Sequence, residues 1–124
     1  MAAEGADYLL INPVHAAQPV PPVEDSPYLP TSRRFINPIY IAVEDAPEYA
    51  LLDDDQRAAI ADLAAPLKAM NTTAAPLERD RVFATKLACL RELFWRSQAD
   101  TARTRAFETF CREEGEGLEE FAYW

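Results

Sequence analysis

The chain is organised around a stiff, aromatic-containing stretch, Ser26-Pro27-Tyr28-Leu29-Pro30-Thr31-Ser32-Arg33-Arg34-Phe35-Ile36-Asn37-Pro38-Ile39-Tyr40-Ile41. Its three prolines fix φ and remove backbone donors, so the stretch suits neither an ordinary helix nor an ordinary strand. This composition predicts a rigid loop that presents side chains. Stiffness lowers the entropy cost of holding Tyr28 and Tyr40 in one place, which is useful if they contact a ligand, and packing is the open alternative for Tyr40.

A short apolar run, Tyr8-Leu9-Leu10-Ile11, precedes this loop and lacks the polar alternation of a half-exposed strand. Such a run is typical of a strand buried on both faces of a parallel sheet, and a long loop at its carboxyl end favours an α/β barrel or a doubly wound sheet. From Pro13 to Pro30 the prolines predict extended or turned chain, with a low-complexity linker as the alternative. A second short strand or extended segment is predicted at residues 39–43.

The rest of the chain predicts helices. They are expected at residues 53–65, before a proline, at residues 76–98, and at residues 101–124 with interruptions at Gly115 and Gly117. Acidic residues in the first turn of the first helix favour the positive end of its dipole. The long helix carries an apolar stripe at i, i+4, i+7 and i+11, formed by Phe83, Leu87, Leu90 and Phe94.

Composition excludes several classes of function. A chain of 124 residues with a net charge of −9 lacks the basic stripe that nucleic acid requires. No apolar run approaches the ~18 residues of a membrane helix, and no basic segment followed by an apolar one opens the chain, so no membrane partner and a cytoplasmic location are predicted. Cys89 and Cys111 lack neighbours at metal spacing and are predicted to be reduced, packed thiols. Neither a cofactor nor a metal is expected, because glycine-rich phosphate loops and clustered ligands are missing from the sequence.

The residues by themselves give little indication of a catalytic site. Acidic pairs occur at Asp54-Asp55, Glu113-Glu114 and Glu119-Glu120, but adjacent residues on a helix do not face each other, so solvated charge is the expected role. His15, the single histidine, lies shortly after the apolar run, where a barrel would place its substrate. Its position leaves both substrate contact and loop packing open. The residues by themselves indicate part of a binding surface without a recognisable catalytic apparatus.

Two ordered motifs carry a family resemblance. They are Leu10-Ile11-Asn12-Pro13-Val14-His15-Ala16, and Ser26-Pro27-Tyr28 followed by Thr31-Ser32-Arg33-Arg34-Phe35-Ile36-Asn37-Pro38-Ile39-Tyr40-Ile41. In order and separation they resemble those of the amylomaltases, the 4-α-glucanotransferases also called disproportionating enzymes, relatives of the α-amylases. The segments at residues 77–82 and 107–124 resemble the family's helical insertion more loosely.

The resemblance implies a fragment of a (β/α)₈ TIM-barrel enzyme, internal to a longer chain, since a complete barrel takes ~250 residues. Residues 1–45 would hold the second barrel strand and the donor-site loop, and residues 46–124 part of the helical insertion subdomain. In isolation the chain is expected to be mostly α with one or two short strands. A helix without a cap at Trp124 is consistent with a segment cut from a longer protein.

The implied reaction is transfer of α-1,4-glucan segments between maltooligosaccharides by a retaining double displacement. In the family the catalytic carboxylates come from later strands, so they are expected beyond residue 124 and this chain alone is expected to be inactive. Tyr28 resembles the family tyrosine that packs against the glucose next to the scissile bond, where an aromatic face suits the apolar C–H groups of a sugar. Ser26 and His15 are further candidate contacts. The alternative is a complete, non-catalytic helical module for glucan binding or protein interaction.

Overall fold

A computed structural model describes residues 5, 7–98 and 100–123 of the chain. This part is mostly helical with one short two-stranded sheet, which confirms the secondary-structure content expected for the chain in isolation. The elements in chain order are the strands β1 (His15–Ala16) and β2 (Ser32–Ile36), the 3₁₀ turns Pro38–Tyr40, Val43–Asp45 and Pro47–Leu51, and the helices α1 (Asp54–Met70), α2 (Arg79–Ser97), α3 (Thr101–Glu114) and α4 (Glu116–Tyr123).

The two strands are antiparallel and close the ends of the proline-rich loop. His15 pairs with Ile36 and Ala16 with Ser32, with an irregularity in register between the two pairs. Ala16 is almost fully buried, and its carbonyl accepts the Thr31 N–H at 2.9 Å. The two strands therefore hold the ends of the intervening loop, residues 17–31, next to each other.

The strand predicted at Tyr8-Leu9-Leu10-Ile11 is wrong for this structure. The segment has no strand or helix assignment, and Tyr8 is 86% exposed and Leu10 89% exposed. A strand buried on both faces needs ladder partners and covering layers, and the described residues offer this segment neither.

The extended segment predicted at residues 39–43 is also wrong, because 3₁₀ turns lie on either side of Ile41. Pro38 occupies the first turn, where its fixed φ is favourable, and the Asn37 side chain accepts the Ile39 N–H at 3.1 Å. Asn37 is itself buried, and its N–H donates to the Val14 carbonyl. This cap turns the chain away from the strand direction.

Helix α1 begins with a capping box. Asp53 Oδ1 accepts the Gln56 N–H at 2.8 Å, and Gln56 Oε1 accepts the Asp53 N–H at 3.1 Å. The helix then continues through Pro66 to Met70, so its predicted end is wrong. Beyond the proline, Met70 lines a cavity between α1 and α2, and Lys68 forms an exposed ion pair with Glu44.

The core lies where α1 and α2 meet the 3₁₀ turns. Helix α2 starts three residues later than predicted, and of the predicted stripe only Phe83 is fully buried. Phe94 is 42% exposed, so the predicted apolar stripe is not buried along its whole length. The turns cover a face of α2 that lies next to the predicted one. The residues of this core cluster are Val43, Leu52, Ile60, Cys89 and Leu93.

The last two helices meet at a glycine elbow. Asp100 caps α3 by accepting the N–H groups of Ala102 and Arg103, and Gly115 ends it with φ of 59°, a conformation that favours glycine. Gly117 lies inside α4 instead of interrupting it. The predicted role of Trp124 falls outside the described residues. Among the helices of the described part, none is long and apolar enough to cross a membrane.

Candidate substrate site

The most exposed aromatic surface of the loop belongs to Tyr28. The side chain is 66% exposed, and its hydroxyl donates to the Asn12 Oδ1 at 3.0 Å. The chain around it is turned, because the Leu29 N–H donates to the Ser26 carbonyl at 3.3 Å. The ring is thus hydrogen-bonded at its hydroxyl and largely exposed to solvent, and an exposed aromatic side chain can pack against an apolar surface of a ligand.

Ser26 lies in the same turn and supports it. Its hydroxyl oxygen accepts the Tyr28 N–H at 3.3 Å, and its own N–H donates to the Glu24 carboxylate at 3.0 Å. The structure therefore brings Ser26 and Tyr28 together, and the serine hydroxyl is engaged by the backbone N–H of the tyrosine.

His15 is half-buried in β1, three residues after Asn12. Its backbone belongs to the ladder with Ile36, so its position is fixed by the sheet. The histidine therefore lies close in the chain to the hydrogen-bond partner of the tyrosine. Packing of the ladder and contact with a ligand both fit this position.

A separate cavity of about 480 Å³ lies between the 3₁₀ turns and helices α1 and α2. Lys86 closes one side, with Nζ donating to the carbonyls of Ile39 at 2.6 Å and Ile41 at 2.8 Å, and burial lowers the pKa of this lysine. The hydrogen bond from Lys68 holds the pKa of Glu44 below its ordinary value. Tyr40 lines this cavity, apart from the turn that carries Tyr28. These charges stabilise the junction of turns and helices.

The adjacent carboxylates do not form an acid/base pair in the structure. Asp54 is ion-paired with Arg57 one helical turn away, and Glu114 is ion-paired with Arg34. Within the described ranges, no group of three or more His, Cys, Asp or Glu side chains could hold a metal ion. Tyr28 thus offers an exposed aromatic side chain, while Asp54 and Glu114 are held in ion pairs.

Three supporting residues were missed by sequence reasoning. Asn12, which stands in the first of the two family motifs, accepts the hydrogen bond of the Tyr28 hydroxyl. Asp80 accepts the N–H of Val23 at 2.6 Å, and Arg34 reaches Glu114 across 80 residues of sequence. These contacts join distant parts of the chain, and a local sequence pattern carries no signal for them.

Comparison with known proteins identifies the protein family of this chain. Residues 1–124 match the family model described as 4-alpha-glucanotransferase (Glyco_hydro_77). The chain therefore belongs to the 4-alpha-glucanotransferase family. This confirms the family that the two motifs indicated.

Individual relatives agree. The chain is 40% identical over 129 residues to a 4-alpha-glucanotransferase of Mycobacterium tuberculosis (strain ATCC 25618 / H37Rv), and the match covers 99% of this chain and 17% of that protein. It is 32% identical over 123 residues to the 4-alpha-glucanotransferase of Haemophilus influenzae, of which it covers 18%. Crystallographically characterised amylomaltase from Corynebacterium glutamicum is 51% identical with a TM-score of 0.84. That match covers 99% of this chain and 17% of the other, so the chain spans about one sixth of the length of these relatives.

Proposed function

We propose that this chain forms one wall of the donor-sugar site of a 4-α-glucanotransferase that transfers α-1,4-glucan segments between maltooligosaccharides. The observation that carries the proposal is the exposed Tyr28 ring, anchored through its hydroxyl, in a chain of this family. A rigid aromatic face loses little conformational entropy when a sugar stacks on it. Ser26 and His15 are proposed as further contacts or supports of the same wall.

The proposal extends to the architecture of the whole enzyme. Residues 1–45 are assigned to the second strand of a (β/α)₈ barrel and its donor-site loop, and residues 46–124 to part of a helical insertion. The exposed apolar run at Tyr8-Leu9-Leu10-Ile11 supports this assignment, because neighbouring barrel strands would bury it. A cytoplasmic location stays a prediction.

The reaction proposed for the whole enzyme is a retaining double displacement. One carboxylate forms a covalent glycosyl-enzyme, while a second protonates the leaving oxygen and then activates the acceptor. Since the chain spans about one sixth of the length of its relatives and the family resemblance places the catalytic carboxylates on later strands, we assign both catalytic groups to other parts of the enzyme. The contribution of this chain is to bind and orient the donor sugar.

A hybrid enzyme tests the proposal. The segment of the Corynebacterium glutamicum amylomaltase that aligns with this chain is replaced by the present sequence, and glucose release from maltotriose is measured. Transfer by the hybrid is expected, and Tyr28→Ala is expected to raise the KM for maltotriose. The free chain serves as a control and is expected to release no glucose above a blank.

Two outcomes would contradict the proposal. A correctly folded hybrid without transfer would show that this sequence cannot serve as the donor wall, and glucose release by the free chain would place catalytic groups within it. The matched tyrosine control is Tyr123→Ala, at an exposed position on α4. This variant is expected to leave the KM unchanged.

A further inference from the structure

The loop that carries Tyr28 is tied to the helical part at two points, one on each side of the tyrosine. Upstream, the N–H of the buried Val23 donates to Asp80 Oδ1 at 2.6 Å, at the start of α2. Downstream, Arg34 Nη2 donates to Glu114 Oε2 at 2.6 Å and to the Glu114 carbonyl at 3.2 Å. The tyrosine therefore lies between two anchors on different helices.

The downstream anchor is more than an ion pair. Phe35 stacks on Phe121 of α4 with ring centroids 4.7 Å apart, and the Arg34 guanidinium lies 5.5 Å from the Phe35 centroid. A Cβ at Gly117 would overlap Arg34 Nη1. The guanidinium thus fits against bare helix backbone, and only glycine at this position leaves it room.

Arg34 also contacts the junction between α3 and α4. The last carbonyls of a helix lack intrahelical partners, and Arg34 supplies a donor to the one at Glu114, the final residue of α3. An exposed ion pair alone contributes little to stability. A guanidinium that also contacts a helix end and an aromatic ring fixes the direction of its strand, because its donors have a rigid planar geometry.

We propose that Arg34 and Asp80 are positioning residues for Tyr28. They hold the loop that carries this tyrosine against helices α2 and α3. The inference rests on the proposed function, since it names the residues that keep the sugar-stacking ring in place. Neither residue touches the substrate. Arg34 acts through its own strand, β2, and Asp80 acts through Val23 in the loop. The pairing of β1 with β2 joins the ends of that loop.

The first test uses the hybrid enzyme and maltotriose. Arg34→Ala is expected to raise the KM about fivefold with kcat nearly unchanged, since a mobile ring weakens ground-state and transition-state binding alike. Arg34→Lys keeps the charge without the planar fork and is expected to restore only part of the loss. Asp80→Ala is expected to raise the KM, with Asp62→Ala, an exposed position on α1, as the matched control.

A double-mutant cycle separates positioning from general destabilisation. In a Tyr28→Ala background, Arg34→Ala is expected to cause no further rise in KM, because the ring through which it acts is gone. Full additivity would overturn the inference. Gly117→Ala gives an independent test, because alanine favours the helix while its methyl group displaces Arg34.

Gly117→Ala is expected to raise the KM less than Arg34→Ala does, because the flexible guanidinium tip can shift, and is not expected to lower the thermal midpoint. Glu120→Ala, an exposed position on the same helix, is the control and is expected to change neither quantity. An unchanged KM in both Arg34→Ala and Gly117→Ala would overturn the inference. If Tyr28→Ala itself leaves the KM unchanged, the proposed function fails and the role of Arg34 fails with it. A KM that depends on Tyr28 but not on Arg34 or Asp80 would overturn only the positioning role.

Discussion

Tyr28 and Asn12 are joined by a hydrogen bond that spans sixteen residues of sequence, from the tyrosine hydroxyl to Asn12 Oδ1 at 3.0 Å. Asn12 precedes the two-stranded ladder, and Tyr28 lies in the loop that the ladder closes. The bond holds the hydroxyl end of an exposed ring and so favours one orientation of the ring on the loop.

Loss of this bond should weaken donor binding less than loss of the ring. In the hybrid enzyme, Tyr28→Phe and Asn12→Ala are each expected to raise the KM for maltotriose about twofold to fivefold, since an intramolecular hydrogen bond contributes roughly 1 kcal/mol or less at an exposed site. The double variant is expected to match either single one. Steady-state kinetics of the variants checks this. If Tyr28→Phe were as impaired as Tyr28→Ala, the hydroxyl and not the ring face would carry binding.

The ion pair between Glu44 and Lys68 should make stability depend on pH in the acidic range. The hydrogen bond from Lys68, 3.0 Å from Glu44, lowers the pKa of this carboxyl from its ordinary value of 4.5. A lowered pKa in the folded state adds stability above pH 4.5, and this stability is lost as the pH falls through the folded pKa.

Glu44→Gln is therefore expected to cost about 0.5 kcal/mol at neutral pH, a small value because both side chains are partly exposed, and nothing once the carboxyl is protonated. Urea unfolding at several pH values measures the difference between variant and parent. Glu92→Gln, an exposed position on α2, is the control. A Glu44→Gln deficit that persists at low pH would show that packing, not charge, is lost.

The two cysteines should differ in reactivity. Cys89 is 4% exposed in the core, and burial raises the pKa of its thiol, whereas Cys111 on α3 is half-buried. Since the thiolate is the reactive form, iodoacetamide is expected to alkylate Cys111 first and Cys89 only after unfolding. Mass spectrometry of the native and urea-treated chain resolves the two sites. Equal rates under native conditions would mean that the core around Cys89 opens readily.

The apolar run at Tyr8-Leu9-Leu10-Ile11 should change environment between the free chain and the whole enzyme. In the free chain its amides are expected to exchange with solvent quickly, because the segment is exposed and has no ladder partner among the described residues. In the hybrid, pairing as a barrel strand is expected to protect them. Hydrogen exchange read by mass spectrometry makes the comparison. Strong protection in a monomeric free chain would contradict the assignment, as would rapid exchange in the hybrid.

The sequence predicted the helical part well because its signals are local. Asp53 and Gln56 form a capping box within one turn, and Gly115 ends α3 through its own backbone freedom. Contacts between distant elements were less predictable. Pro66 was expected to end α1, but the helix continues to Met70, and the buried face of α2 is set by the 3₁₀ turns that cover it.

In the candidate site, too, local features were predictable from the sequence and contacts between distant residues were not. The sequence by itself determined the family through two ordered motifs, and its prolines predicted the turned chain around Tyr28, whereas the strand Ser32–Ile36 within the same stretch was not predicted. Only the tertiary structure decided what holds Tyr28: Asn12 at its hydroxyl, Asp80 and Arg34 on either side of its loop. These partners lie far apart in the sequence, and a hydrogen bond over such a separation exists only once folding has brought its donor and acceptor within about 3 Å.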